Sequence, residues 1–487
     1  MNDRSTILVT AMLLCICMAG SATVAGIVQK QRNDLDLVVK MGGVAGMPPH
    51  VAVVTAALGT FRGLAVDILW ARADHLQSEG EFYEAQTLAQ WITTLQPRFQ
   101  KVWGFQAWNL AWNITAATQV PAERWAWVSR GIELLRSRGI PLNPQAANLY
   151  FDLAWIFQNK IGRVGDKEHW YYKARLAAEM QEVIGKMVAG RTTAEVIERF
   201  RIISDAPATL AELENRTPGI KRALAVLAEH GAKPGEDFLR MLGRVMMRLS
   251  SLDAQVLGDV PFPEGTNREL IEVMRSDREL SAMVFDTLVP HLQRRVLVDR
   301  YHMDPTTMVE VMQRYGPLDW RHPDAHGIYW SERGVAVAGD LERRDDVNEL
   351  MLVRGRLLML LNLMRSGRVE FDPVTTRVDL LPDPRFARTF EQAIQVAFDL
   401  IASDRGVSAA DFGTAEEADL FATYEKFLDL ATVLAYLYGD ESEADRYFTK
   451  LKDLATRQGY GDEPAFSDTV ENFVAIRFAG MANVNLN

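Results

Sequence analysis

Cysteine is nearly absent from this chain of 487 residues and is confined to one place. Both cysteines, Cys15 and Cys17, lie inside the N-terminal apolar run, so everything after them lacks thiols. This excludes disulfides and thiolate–metal sites from the rest of the chain. A body without thiols is also what an oxidising compartment favours.

Positive charge is scarce as well, since 53 Lys and Arg stand against 64 Asp and Glu and leave a net charge of -11. That sign argues against a nucleic-acid-binding surface. The short signatures of common catalytic sites are missing too: G-x-S-x-G, H-E-x-x-H and the phosphate-binding P-loop do not occur. A hydrophobic content of 48% is ample for a folded core. The sequence therefore predicts a folded acidic protein that is not an enzyme and holds no cofactor.

Charge is missing altogether from Ile7 to Val28, a run long enough for the ~20 residues that cross a hydrocarbon core. Arg4 and Lys30 flank it. We interpret this run as an uncleaved, single-pass membrane anchor, although small residues near its end leave a cleaved signal segment open. The thiol-free body favours export, which predicts an extracytoplasmic or periplasmic location.

The stretch from Leu58 to Pro97 predicts a helical hairpin. The apolar pattern indicates helices over Leu58–Ser78 and Phe82–Leu95, joined by a turn at Gly80. Two helices joined by so short a turn lie antiparallel, and each leaves a second apolar stripe for a neighbour to cover. The next predicted helix, Lys101–Ala117, is such a neighbour, which is how a helical repeat array grows.

The spacing in this hairpin resembles the tetratricopeptide repeat, a helix-turn-helix unit of about 34 residues. The matching small, bulky, turn-glycine, aromatic and proline positions are Ala73, Leu76, Gly80, Phe82, Ala85 and Pro97, with a second set at Gly439, Ala444 and Phe448. Ala89 and Ile92 depart from the family pattern. The resemblance implies a scaffold that presents a concave surface to a protein or peptide.

The predicted fold class is all-α, with stacked antiparallel hairpins in a TPR-like α-solenoid preceded by one transmembrane helix. The alternation of Val369–Leu381 also favours a small strand hairpin. The predicted divisions are 1–28 (anchor or signal segment), 29–50 (flexible linker), 51–190 (TPR-like repeats), 191–314 (helical middle region), 315–345 (ordered aromatic loop) and 346–487 (C-terminal helical region).

Tryptophan is concentrated after Lys101. Trp108 and Trp112 are four residues apart and share one helix face, and Trp155 lies on a later predicted helix. Tryptophans at helical spacing commonly pack between hairpins. The alternative is an aromatic groove that binds a partner through Trp108, Trp112 and Trp155.

The stretch Tyr315–Trp330 is the least repeat-like part of the chain and carries the one candidate for chemistry. Asp319, His322, Asp324 and His326 are suitable ligands for a divalent metal. Pro323 and Gly327 argue against a regular helix here, so we predict a rigid loop whose aromatic rings pack it against the helices, and no metal.

The leading hypothesis is a membrane-anchored scaffold for a protein or peptide partner, within an envelope assembly of the transport, secretion or pilus type. One alternative is a metal-dependent enzyme that uses Asp319, His322 and His326. Another is a structural spacer without a binding groove.

Overall fold

The computed structural model describes residues 30–31, 62–186, 192–249, 262–339, 349–405, 415–463, 466 and 469–484. In this part of the chain the protein is almost entirely helical, with one two-stranded antiparallel sheet. The all-α prediction is confirmed. The predicted anchor Ile7–Val28 and the apolar residues 51–61 lie outside the described residues. Among the residues that are described, no helix combines the length and the apolar character needed to span a membrane.

The helices and strands, numbered in chain order, have the following bounds. They are α1 Arg62–Ser78, α2 Phe82–Leu95, α3 100–117, α4 121–142, α5 147–162, α6 His169–Ile184, α7 Thr193–Asp205, α8 Leu210–Arg216, α9 Ile220–Glu229, α10 Glu236–Leu249, α11 Arg268–Ser276, α12 278–299, α13 Pro305–Tyr315, α14 Pro323–Gly339, α15 Glu349–Ser366, β1 Arg368–Asp372, β2 Arg377–Leu381, α16 Ala387–Arg405, α17 Ala415–Leu437, α18 Glu441–Arg457 and α19 Val470–Val484. A short 3-10 turn, Pro384–Phe386, precedes α16.

The chain divides into two compact units, residues 1–106 and 107–487, and the division falls within α3. In the first unit, α1 and α2 form the predicted hairpin, and Gly80 turns the chain at a φ of +85°. Ala73 and Ala85 are completely buried where the two helices meet. The buried amide of Gln106 donates to the Ala89 carbonyl at 2.7 Å and so ties the start of α3 to α2.

Local capping signals determine several helix starts in the second unit. Thr192 and Glu195 form a reciprocal capping box at the start of α7. The Asp304 side chain accepts from the Thr307 N–H and caps α13, whose first residue is Pro305.

The order of packing in the second unit is not that of a simple linear array. In such an array each repeat contacts only its neighbours. Here α14 packs along α5, although more than 160 residues separate them. The solenoid prediction is therefore not confirmed, although neighbouring helices such as α17 and α18 do form hairpins.

The prediction of an aromatic loop over 315–345 is wrong for most of its described part. Only residues 316–322 are irregular, and α14 runs from Pro323 to Gly339. Pro323 is compatible with the helix because it occupies the first turn, where its missing N–H costs nothing. Gly327 and Gly334 are compatible because they allow close packing: a Cβ would lie 2.6 Å from the Met359 sulfur at Gly327, and 2.6 Å from the Phe151 ring at Gly334.

The predicted strand hairpin over Val369–Leu381 is confirmed by β1 and β2, whose register pairs Phe371 with Val378. Both of these side chains are buried against α6, in one cluster with Val369 and Ala177. The hairpin thus packs against α6, and polar side chains of the same helix, such as Gln181, are also buried.

Candidate functional site

Three neighbouring helices, α3, α4 and α5, each contain a π-helical segment. The segments are Asn109–Ile114, Leu135–Gly139 and Ile156–Gly162, and the first and third pack on each other. A π segment inserts an extra residue into a helical turn, and such insertions are frequent at functional sites. This part of the second unit holds both a buried ionic cluster and an exposed tryptophan surface.

The buried ionic cluster centres on Asp166, in the connection between α5 and α6. Arg124 donates to its carboxylate at 2.7 Å, and the Lys160 ammonium lies 2.6 Å away. Burial alone would raise the pKa of Asp166, but the bonds from Lys160, Glu168 N–H and Arg124 outweigh it and lower the pKa to about 2. The same carboxylate accepts from the Tyr172 hydroxyl at 3.3 Å. The cluster thus joins α4, α5 and α6 through one carboxylate.

Sequence reasoning missed this cluster, since Arg124 and Asp166 are 42 residues apart and no short motif contains both. The only local signal was Lys160, a lysine on a strongly apolar helix. An aspartate that pairs with two cations and accepts additional hydrogen bonds is fully satisfied, so we assign it to stability and not to catalysis.

The predicted metal candidates are all buried, and the structure gives each a different partner. Asp319 is bound by Arg321, whose Nε and Nη2 donate to its two oxygens at 2.9 and 2.7 Å. Arg321 also donates to Gln181 on α6 at 2.6 Å and to the Val369 carbonyl on β1 at 2.6 Å. Asp319 and Arg321 therefore fasten the 316–322 segment to a helix and a strand.

The two histidines are held apart by separate hydrogen bonds. His322 Nδ1 accepts from the Asp324 backbone N–H at 3.1 Å, whereas His326 Nε2 lies 2.8 Å from the Trp320 carbonyl. Burial lowers the pKa of His322 to about 3 and that of His326 to about 4, so both rings are neutral at pH 7. His326 also stacks on Phe157 of α5 at 4.7 Å between ring centroids.

Asp324 is almost completely removed from solvent. Burial raises its pKa to about 7, against the opposing effects of an Asn362 hydrogen bond and the Lys173 ammonium. Lys173 lies on the inner face of α6, 2.8 Å from His169 Nδ1, and burial lowers its pKa to about 8. The Asp324 carboxylate also accounts for the presence of a glycine at position 162, at the end of α5, because a Cβ there would lie only 3.0 Å from the carboxylate.

These side chains do not converge on one point. Within the described ranges, no group of three or more His, Cys, Asp or Glu side chains is arranged to hold a metal ion. The arrangement is that of a buried polar core, in which Asp319, Asp324 and His326 are each committed to an internal partner.

The predicted tryptophan positions lie on α3 and α5 of the same three-helix region, and two of the three side chains are exposed. Trp108 is 43% exposed and Trp155 is 40% exposed, and the half-buried Trp112 stacks on Trp108 with ring centroids 4.1 Å apart. The Lys160 ammonium lies 5.9 Å from the Trp112 ring centroid and thereby connects α3 to α5. We call Trp108, Trp112, Trp155 and the adjacent Asp152 the tryptophan surface.

Asp152 is the charged member of this surface. It precedes Trp155 by three residues on α5, so the two side chains are neighbours on the helix. The carboxylate is half-buried, and in the described part of the chain it makes no hydrogen bond or ion pair. Burial raises its pKa to about 6, which means that a desolvated carboxylate lies beside an exposed indole.

Comparison of the chain with models of protein families, with curated proteins and with solved structures gives no match.

Proposed function

We propose that this protein is a helical scaffold that binds a protein or peptide partner through the tryptophan surface. The observation that carries the proposal is the stacked Trp108–Trp112 pair on α3, with Trp155 exposed on the neighbouring α5. Tryptophan is the residue most enriched among those that dominate binding energy at protein interfaces. Exposed indoles grouped on adjacent helices are therefore better explained by a partner than by packing within the chain.

Asp152 indicates the chemistry of that partner. Desolvation of a carboxylate costs free energy unless a cation compensates for it, and the described chain supplies none to Asp152. A lysine or arginine of the partner would satisfy this carboxylate and would also interact favourably with the Trp155 ring. The partner segment that fits is therefore one that combines an apolar side chain with a cationic one.

The proposal includes the membrane anchor at Ile7–Val28 and an extracytoplasmic body within an envelope assembly, both of which rest on the sequence. A reporter fused after Asn487 tests this part by itself. Activity of an alkaline phosphatase fusion supports export, and activity of a cytoplasmic reporter at the same position refutes it.

The binding proposal is tested by placing the photo-crosslinker p-benzoylphenylalanine at Trp108 or Trp155 of the full chain in native membranes. Ile476, which is 50% exposed on α19, is the control position. We expect one discrete adduct from both tryptophan positions and not from Ile476. Its identity, read by mass spectrometry, should be the same protein in both cases and should contain the basic, apolar segment.

The identified partner is then titrated against variants. We expect Trp155→Ala to weaken binding by about 30-fold, the effect of losing a central tryptophan worth about 2 kcal/mol. Asp152→Asn should weaken it by about tenfold, whereas Ile476→Ala should leave it unchanged. Equal adducts from all three crosslinking positions, or wild-type affinity in Trp155→Ala, would overturn the proposal.

A further inference from the structure

A cleft of about 660 Å³ opens between α6 and the strand hairpin. Its size falls in the range of small-molecule sites, about 300–1,000 Å³. The floor is apolar, because Phe371 and Val378 turn their buried side chains towards α6 at this point. The cleft lies outside the tryptophan surface and is independent of the proposed function.

The space exists because α6 carries small residues where the hairpin crosses it. Ala174 and Ala178 are four residues apart on the same helix face and line the cleft. Longer side chains there would fill the volume. Trp170, which is 52% exposed, and Tyr171 stand beside these alanines in the preceding turn and provide aromatic walls.

The charged groups in the lining are Arg175, Arg377 and Asp379. Arg377 donates to Asp379 through Nε and Nη2, at 3.0 and 2.8 Å, so these two charges compensate each other. Arg175 is exposed, and it makes no hydrogen bond or ion pair in the described part of the chain. The lining therefore carries an uncompensated positive charge on a protein whose net charge is -11.

We propose that this cleft binds a small amphipathic anion, whose apolar or aromatic body lies on Phe371 between Trp170 and Tyr171 and whose acidic group pairs with Arg175. An arginine suits a carboxylate, sulfonate or phosphate because its planar guanidinium can donate two parallel hydrogen bonds. An indole and a phenol suit a flat apolar body because rings stack on them with little loss of conformational freedom.

The test uses naphthalene-2-sulfonate as the anionic probe and naphthalene-2-sulfonamide as its neutral counterpart of similar shape, titrated into the full chain by isothermal calorimetry. We expect saturable binding of one sulfonate per chain, with the sulfonamide at least tenfold weaker. In Arg175→Gln the sulfonate should weaken by about tenfold and lose its advantage over the sulfonamide. Ala174→Trp, which fills the cleft, should abolish binding of both.

Arg130→Gln is the matched control, because Arg130 is an exposed arginine beside another tryptophan, 4.5 Å from the Trp127 ring centroid. It should bind the sulfonate like the unsubstituted chain. Absence of saturable binding, an equal loss in Arg130→Gln, or unchanged binding in Arg175→Gln would overturn the proposal. Circular dichroism reports whether Ala174→Trp is folded, and if it is not, the surface variant Arg175→Gln decides the outcome alone.

Discussion

The same type of ion pair occurs at three degrees of burial in this protein. The effect of burial on the contribution of such a pair to folding stability can therefore be measured within one chain. In each case an arginine and an aspartate two residues apart bond through the guanidinium Nε and Nη2. The pairs are Arg321–Asp319, Arg385–Asp383 and Arg377–Asp379. In the Arg321–Asp319 pair the arginine side chain is 1% exposed and the aspartate 5%. In Arg385–Asp383 the values are 29% and 2%, and in Arg377–Asp379 they are 73% and 51%.

We expect the Arg→Met substitution to destabilise the protein most in the most buried pair and least in the most exposed pair. Arg321→Met leaves the Asp319 carboxylate buried without its cation and removes the bonds to Gln181 and the Val369 carbonyl, so it should cost about 3–5 kcal/mol. Arg377→Met removes a solvated pair and should cost about 0–1 kcal/mol. Arg385→Met should fall between them, because its aspartate is buried but its guanidinium is partly in water.

The assay is urea unfolding of the full chain, followed by far-ultraviolet circular dichroism and compared at the transition that each variant shifts. A double variant, Arg321→Met with Asp319→Asn, removes the unpaired charge and should recover part of the loss, which a double-mutant cycle quantifies. If Arg377→Met costs as much as Arg321→Met, or if the double variant is no more stable than Arg321→Met alone, burial does not decide the contribution of these pairs.

Three further predictions concern packing, titration and capping. Gly243→Ala should lower the free energy of unfolding, measured by thermal unfolding, by at least about 2 kcal/mol, because its Cβ would lie 2.1 Å from the Glu182 carbonyl oxygen. The control Gly355→Ala lies in a helix with open space around the glycine, so it should be neutral or stabilising by up to about 1 kcal/mol. Asp166 has a pKa of about 2 in the folded protein, below its ordinary 3.8. Its ionised form therefore contributes about 2 kcal/mol to the free energy of unfolding, and this contribution is present above pH 4 and is lost as the pH falls towards 2. Stability measured across that range should fall less steeply in Asp166→Asn than in the unsubstituted chain, and equal slopes would contradict the assignment. Thr192→Ala should cost about 1 kcal/mol by removing a capping box, and Thr192→Ser should retain most of that stability.

Features that depend on neighbours in the chain were predictable. The apolar period and the turn at Gly80 predicted α2 at its observed bounds, because its start is limited by the glycine turn just before it. The caps at Thr192 and Asp304 act through N–H groups three residues away, so they are readable from local sequence. The alternation in Val369–Leu381 predicted the strand hairpin for the same reason.

The candidate site was only partly predictable. Sequence spacing placed Trp108 and Trp112 on one face. Only the tertiary structure shows that Trp108 and Trp155 remain exposed while Trp112 is half-buried, because exposure depends on which helices pack around them. The sequence named His322 and His326 only as candidate metal ligands in a predicted loop. Their burial was not predictable, since it depends on which helices pack around them, such as α5, whose Phe157 stacks on His326.

The sequence by itself determined where helices such as α2 begin and end, because those limits arise from backbone hydrogen bonds and turns within a few residues. Only the tertiary structure decided that Pro323–Gly339 is a helix, because its glycines have a low helical propensity that close packing against Phe151 and Met359 overcomes. It likewise decided that Asp166 pairs with Arg124 and Lys160. Contacts between segments that are distant in the chain produce no local pattern of residue spacing from which they could be predicted.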